Sequence, residues 1–230
     1  MRTRIAAILT AATLSVAAAP SPTRDDGLVI LPGNTPFGAV FSQWTARWWQ
    51  FALSFPADAN PLFDPSVSCV VGQSGPVWFL MHDFGSGTPV HRTCSVPEGT
   101  ALFFPIINVV DINVASQSPA ELRAETAPCL DAVTELRLTV DGRSVDVKKS
   151  KTRVRSVVFP VTFPDGNVLG VPATTYSPVI DDGYYVMLAP MSVGTHTFAF
   201  SGSSTGCPLM GGPFAVDVTY DLTVVPVTLR

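Results

Sequence analysis

The cleanest pattern in the chain lies near its C-terminal end, where Phe214, Val216, Val218, Tyr220, Leu222 and Val224 alternate with Asp217, Thr219, Asp221 and Thr223. A period of two sets one group against a core and the other in water, as in a half-buried strand. His196, Phe198 and Phe200 alternate with Thr195, Thr197 and Ala199 in the same way, which predicts an inward, core histidine at 196. Leu136, Leu138 and Val140 alternate with Glu135, Arg137 and Thr139; Asp141-Gly142 then turns the chain so that Val145 and Val147 continue into a return strand. Apolar runs over 68–71, 76–81, 100–107, 154–163 and 184–188 read as further strands, with a short one between 25 and 34.

Helical spacing occurs twice. Phe37, Val40, Phe41, Trp44, Trp48, Phe51, Ala52 and Phe55 recur every three or four residues as one apolar stripe, with Thr35 or Ser42 as candidate cap and Phe55-Pro56 as the end. Ser118-Pro119-Ala120-Glu121 is a capping box with proline at the first helical position, opening a short helix that runs toward Pro128. About nine strands and two helices predict a mainly β chain. The expected architecture is an antiparallel β-sandwich, jelly-roll-like, with a tryptophan-rich N-terminal helix and a second short helix.

Composition adds a location. Of 230 residues 47% are hydrophobic and 14% charged, enough for a sizeable core and too few charges for disorder. Arg2 and Arg4 precede an apolar run, 5–19, that ends in Ala17-Ala18-Ala19-Pro20. This predicts a secretory signal peptide over 1–19 and a mature single domain over 20–230, secreted or extracytoplasmic and without stable membrane insertion once the leader is removed. Without Arg2 and Arg4, twelve basic side chains face eighteen acidic ones. That mild acidity favours solubility and argues against a nucleic-acid partner. Arg143, Lys148, Lys149, Lys151, Arg153 and Arg155 fall in one stretch, read as an exposed hairpin with charged edges rather than an anion-binding site.

Four cysteines in an exported chain imply two disulfides, with three connectivities possible; Cys69–Cys94 and Cys129–Cys207 are favoured, one closing a short loop and the other tying a helix to a late loop. No C-x-x-C occurs, so neither a zinc site nor any other cofactor is expected.

Three segments stand out as motifs: residues 41–53 (FSQWTARWWQFAL), 72–80 (GQSGPVWFL) and 101–108 (ALFFPIIN). Together with Gly194-Thr195-His196-Thr197 they resemble a family of uncharacterised secreted bacterial proteins with a W-x-A-x-W-W-Q helix, a G-Q-x-G-P-V-W-F-L strand and an L-F-F-P-I-x-N strand. The resemblance spans most of residues 35–202. It implies secretion and a shared fold, and no activity.

The candidate chemistry lies in three places. Trp44 and Trp48, four apart on the apolar stripe, read as core, whereas Trp49 lies about 100° further round the helix. Trp49 is therefore the expected ligand contact, with Arg47 and Gln50 beside it. His82 and Asp83 follow an apolar strand and precede Gly85-Ser86-Gly87, a loop setting that suits acid–base work, with His91 across the turn as a further ligand-binding candidate. Asn108, Asp111 and Asn113 carry oxygen side chains after the 100–107 strand, but lack the glycine and terminal glutamate of a calcium loop; turn formation is the default reading for them, and for the acidic Asp181-Asp182-Gly183. No Gly-x-Ser-x-Gly nucleophile motif is present.

Two leading functions follow. The first is a non-enzymatic secreted sandwich that binds a small molecule or glycan through exposed aromatics, with Trp49, Arg47, Gln50, His91 and Asn108 as the contacts. The second is a hydrolase, lyase or isomerase with His82, Asp83 and Asp111 as catalytic residues. A structural or interaction protein of the cell envelope is the third alternative.

Overall fold

The computed structural model describes residues 27–85 and 87–227; the expected leader, 1–19, lies outside them. In chain order the elements are β1 (Val29–Ile30), α1 (Phe41–Ala52), β2 (Val77–Phe79), β3 (Val90–Pro97), β4 (Ala101–Ile112), α2 (Pro119–Asp131), β5 (Val133–Val140), β6 (Arg143–Ser144), α3 (Lys149–Thr152), β7 (Arg153–Arg155), β8 (Phe159–Thr162), β9 (Thr175–Leu188), β10 (Gly194–Cys207) and β11 (Gly212–Val225). The described chain is mainly β, in two sheets, with three α-helices.

In the first sheet β2, β4 and β9 lie side by side, and the far edge of β9 is filled in succession by β1, β7 and β8. The second runs β3–β11–β10–β5–β6. Hydropathy explains the layering. β10 and β11 alternate, so each has one wet face. β4 reads Ala-Leu-Phe-Phe-Pro-Ile-Ile without alternation and is buried along almost its whole length, because its sheet is covered on both sides. On one side Phe104 meets Phe198 and Phe200 of the second sheet, with ring centroids 5.6 and 4.8 Å apart. Gly202 of β10 permits this approach, since a β-carbon there would lie 2.8 Å from the Ile107 side chain. On the other side α1 lays Phe41 and Trp44 on Phe103.

Helix α1 begins at Val40, whose N–H is accepted by the Gln43 side chain; neither Thr35 nor Ser42 caps it. It exposes only Gln43, Arg47 and Gln50, because loop residues such as Leu53, Leu62, Phe163 and Val171 belong to the cluster it joins. Helix α2 opens as expected, with Ser118 and Glu121 exchanging hydrogen bonds, and continues past Pro128 to Asp131. Disulfides join Cys69 to Cys94 and Cys129 to Cys207. No helix among the described residues is long and apolar enough to cross a membrane.

Several expectations need correction. Two of the strand pairings are parallel, β2 with β4 and β3 with β11, so the sheets are mixed rather than wholly antiparallel. Between β2 and β4 the chain crosses to the second sheet and returns, and alternation encodes which face a residue takes but not which way its strand runs. Residues 68–71 are turns rather than a strand, and 154–163 divides into β7 and β8. Asp181-Asp182-Gly183 is not a turn but the middle of β9, buried on both faces. The basic stretch is exposed except at Arg153, but only its start is hairpin: Arg143 of β6 pairs with Val140, and the rest runs through α3 and β7. Lys148 and Lys151 pair with Asp146, Lys149 donates to the Val133 carbonyl, and Arg153 and Arg155 both reach the buried Asp182.

Candidate functional site

On the α1 side of the first sheet a line of buried polar groups crosses from helix to loop. Trp49 Nε1 donates to Asp181 Oδ1 at 2.7 Å. The Tyr185 hydroxyl donates to the same oxygen at 2.7 Å and accepts from Asn108 Nδ2 at 2.6 Å. Asn108 Oδ1 in turn accepts from His82 Nε2 at 2.8 Å. Strand parity assembles this line. Asn108 of β4 is directly opposite Gly183 of β9, with Asp181 and Tyr185 two residues to either side on the same face. Gly183 keeps the space open, since a β-carbon would sit 2.7 Å from the Tyr185 ring.

The direction of the line follows from its ends. An indole N–H only donates, so Asp181 Oδ1 accepts, the tyrosine hydroxyl points toward it, and the asparagine presents its oxygen to the histidine. An amide is a poor proton conductor, so the line orients His82 rather than feeding it protons. His82 Nδ1 also meets an acceptor, the backbone carbonyl of Asp83. A neutral imidazole donates to one of the two at a time, and burial opposes the doubly protonated form.

Burial dominates the acidities. It lowers the proton affinity of His82, against the opposing pull of the Asp83 carbonyl and Asn108. It pushes the Asp181 carboxyl up to about 8, partly countered by Tyr185 and Trp49. Asp181 Oδ2 is buried without a well-formed hydrogen bond; the Thr45 hydroxyl, bonded to the Ser42 carbonyl, is close enough to favour the ionised carboxyl slightly. Tyr185 is raised well above its ordinary value by burial and by Asp181.

His82 is held on every side. Its ring stacks on Trp48, with centroids 5.4 Å apart, and Arg92 donates to its carbonyl at 3.0 Å. The preceding residue, Met81, exchanges two backbone hydrogen bonds with the Tyr220 hydroxyl. His82, Asn108 and the Trp49 ring border a small cavity of about 40 Å³, closed otherwise by apolar side chains including Phe84, Met210 and Phe214. Phe84 and Met210 are half exposed at its rim, and Phe84 stacks on the exposed Phe63.

Comparison with models of protein families, with curated proteins and with solved structures returned no match. The assignment of a site therefore rests on the geometry.

That geometry brings His82, Asn108 and Trp49 together and sets the other candidates apart. Trp49, expected at the surface, is 3% exposed, because its indole turns onto the sheet, bonded to Asp181 of β9 and packed edge-on against Trp48. Arg47 lies over the Trp44 ring, and Gln50 donates to the Pro160 carbonyl. His91 is on the outer face of the second sheet, bonded to Asp221 at 2.9 Å. Asp83 is buried beside His82. Asp111, three residues beyond Asn108 on β4, points to the opposite face of the sheet. There burial and a hydrogen bond with Glu125 of α2 push its carboxyl up to about 6. Asn113 holds the turn before α2, accepting from the Gln117 N–H. His196, near the start of β10, is half-buried beyond the core rather than within it, its ring between Asp141 and the Ser192 carbonyl. Among the described residues no group of three acidic, histidine or cysteine side chains is placed to hold a metal. Asp181, read from sequence as part of a turn, and Tyr185, which no motif marks, complete the line; the signal in the sequence is two carboxylates and a glycine interrupting an otherwise apolar run that ends at Leu188.

Proposed function

We propose that the chain is a secreted, single-domain protein with a jelly-roll-like sandwich fold, and that it binds a small, largely apolar ligand at the cavity bordered by His82, Asn108 and Phe84. Two disulfides support a location outside the cytoplasm. The observation that carries the binding reading is the cavity itself, an apolar recess with a fixed polar edge and a half-exposed aromatic and methionine rim. A recess of about 40 Å³ admits an alkyl tip and excludes a sugar ring, and the rim provides apolar area for the rest of the ligand. The buried tryptophans offer a glycan no stacking platform, so the small-molecule form of the reading is the one the geometry supports.

A series of short-chain alcohols, followed through the Trp49 indole N–H resonance, tests this. Saturable shifts that tighten with chain length are expected, weakened about tenfold in Phe84→Ala, consistent with the loss of an aromatic contact worth about 1.5 kcal/mol or more. No shift, or equal affinity in the variant, overturns the reading, as does saturable glycan binding that Phe84→Ala leaves intact.

A hydrolase, lyase or isomerase is favoured by one observation, the fixed orientation of His82 beside Asp83 at a cavity. Asp111, on the other face, takes no part in such a centre. Turnover of a small ester or carbonyl substrate that is lost in His82→Gln would favour it over simple binding.

A further inference from the structure

We propose that the buried guanidinium of Arg92 is a binding site for one small monovalent anion of halide size. This does not depend on the ligand reading above. Arg92 takes an inward position on β3, in phase with the core residues Cys94 and Val96, and is only 5% exposed. Arginine does not shed its proton, so a full positive charge is held inside the molecule, where an uncompensated charge is costly. One terminal nitrogen donates to the His82 carbonyl at 3.0 Å. The Nε–H is fully buried and has no hydrogen-bond partner.

Arg92 also lines a second small cavity, of about 10 Å³, with Gln73, Met81, Cys69 and Tyr220. The space suits a single particle of about water size. Its other polar walls are already engaged. The Gln73 amide is satisfied at both ends by the Phe79 backbone, at 2.6 and 3.0 Å. The Tyr220 hydroxyl donates to the Met81 carbonyl and accepts from the Met81 N–H. The charged groups around it are few. Asp64 senses Arg92 but is bound to the Ser66 N–H and hydroxyl; His82 is a second group able to become positive; Asp83 adjoins it in sequence. A water molecule would satisfy the Nε–H alone, whereas a halide would satisfy it and add a full negative charge beside the guanidinium, which Asp64 compensates only in part.

Two experiments on the mature protein decide. Crystals grown with sodium bromide, with anomalous data at the bromine edge, are expected to show a peak within hydrogen-bond reach of Arg92 Nε. A water or a protein group in that place, with no anomalous signal, overturns the proposal. In solution, replacing gluconate with chloride is expected to move the His82 imidazole titration, read by NMR, upward, because the anion offsets the repulsion from Arg92. The shift should vanish in Arg92→Met. A bromide peak without any chloride-dependent shift would mean binding at crystal concentration only and would also overturn it. If Arg92→Met does not fold, the anomalous map and the wild-type titration suffice.

Discussion

Asp181 is the residue on which the buried polar line depends. Two donors converge on one of its oxygens while the other has no well-formed hydrogen bond, and burial raises its carboxyl from 3.8 to about 8. In the unfolded chain the group ionises near 3.8; in the folded protein it keeps its proton until about 8. Between those values the native state holds the extra proton. Its contribution to stability is therefore complete below the lower value, declines as pH rises through the window and is gone above the upper one. Asp181→Asn retains an oxygen for Trp49 and Tyr185 but does not titrate. Urea unfolding of both proteins at intervals between about pH 4 and 8 should show the wild type losing stability relative to the variant by at least about 1.4 kcal/mol, the equivalent of one unit of pKa. A constant difference across that range would show that Asp181 is ionised in the fold.

Among the elements, α2 was the most explicit in the sequence and is the most dependent on its ends. Ser118, Pro119 and Glu121 specify its start, and the expected hydrogen bonds form at 2.7 and 3.3 Å. Its interior offers less, with a proline at 128 and only Leu122, Thr126, Cys129 and Leu130 buried. Ser118→Ala should cost about 1 kcal/mol, as loss of a cap does, measured as a lower denaturation midpoint with unchanged slope. An unchanged midpoint would mean that packing and the disulfide fix the helix without its cap. The stripe of α1 and the alternation of β10 and β11 were equally legible, because each has its own short period. β9 was legible only over 184–188. Its first half, with Ser177-Pro178, Asp181, Asp182 and Gly183, has the composition of a loop, and becomes strand because β4, β7 and β8 pair with it, because Arg153 binds Asp182 and because Tyr185 and Trp49 donate to one oxygen of Asp181.

At the scale of the whole molecule the two disulfides bear unequal loads. Cys129–Cys207 spans 78 residues and joins α2 to the end of β10; Cys69–Cys94 spans 25 and anchors a turn segment to β3. Closing the longer loop restricts the unfolded chain more, by about 4.5 kcal/mol against about 3.5 for the shorter. Replacing the first pair with alanines should therefore lower stability by about 1 kcal/mol more than replacing the second. Thermal or denaturant unfolding of the two double variants checks the order, and the reverse order would show that native-state packing around Cys69 outweighs chain entropy.

The sequence by itself determined the periods. It specified which strands have one wet face, where two helices lie, and that β4 is apolar in both parities; its four cysteines paired as expected. These are local properties, set by spacing along a few neighbouring residues. Tertiary structure decided strand direction, the burial of Trp49, the burial of Asp181 and Asp182 within a strand, and the separation of Asp111 from His82 by a sheet. Each depends on what lies across from a residue rather than next to it. His82 and Asn108 are 26 positions apart, and Trp49 and Asp181 are 132. No period along the chain records such a meeting, which follows from the register of β4 on β9 and from the helix laid over both.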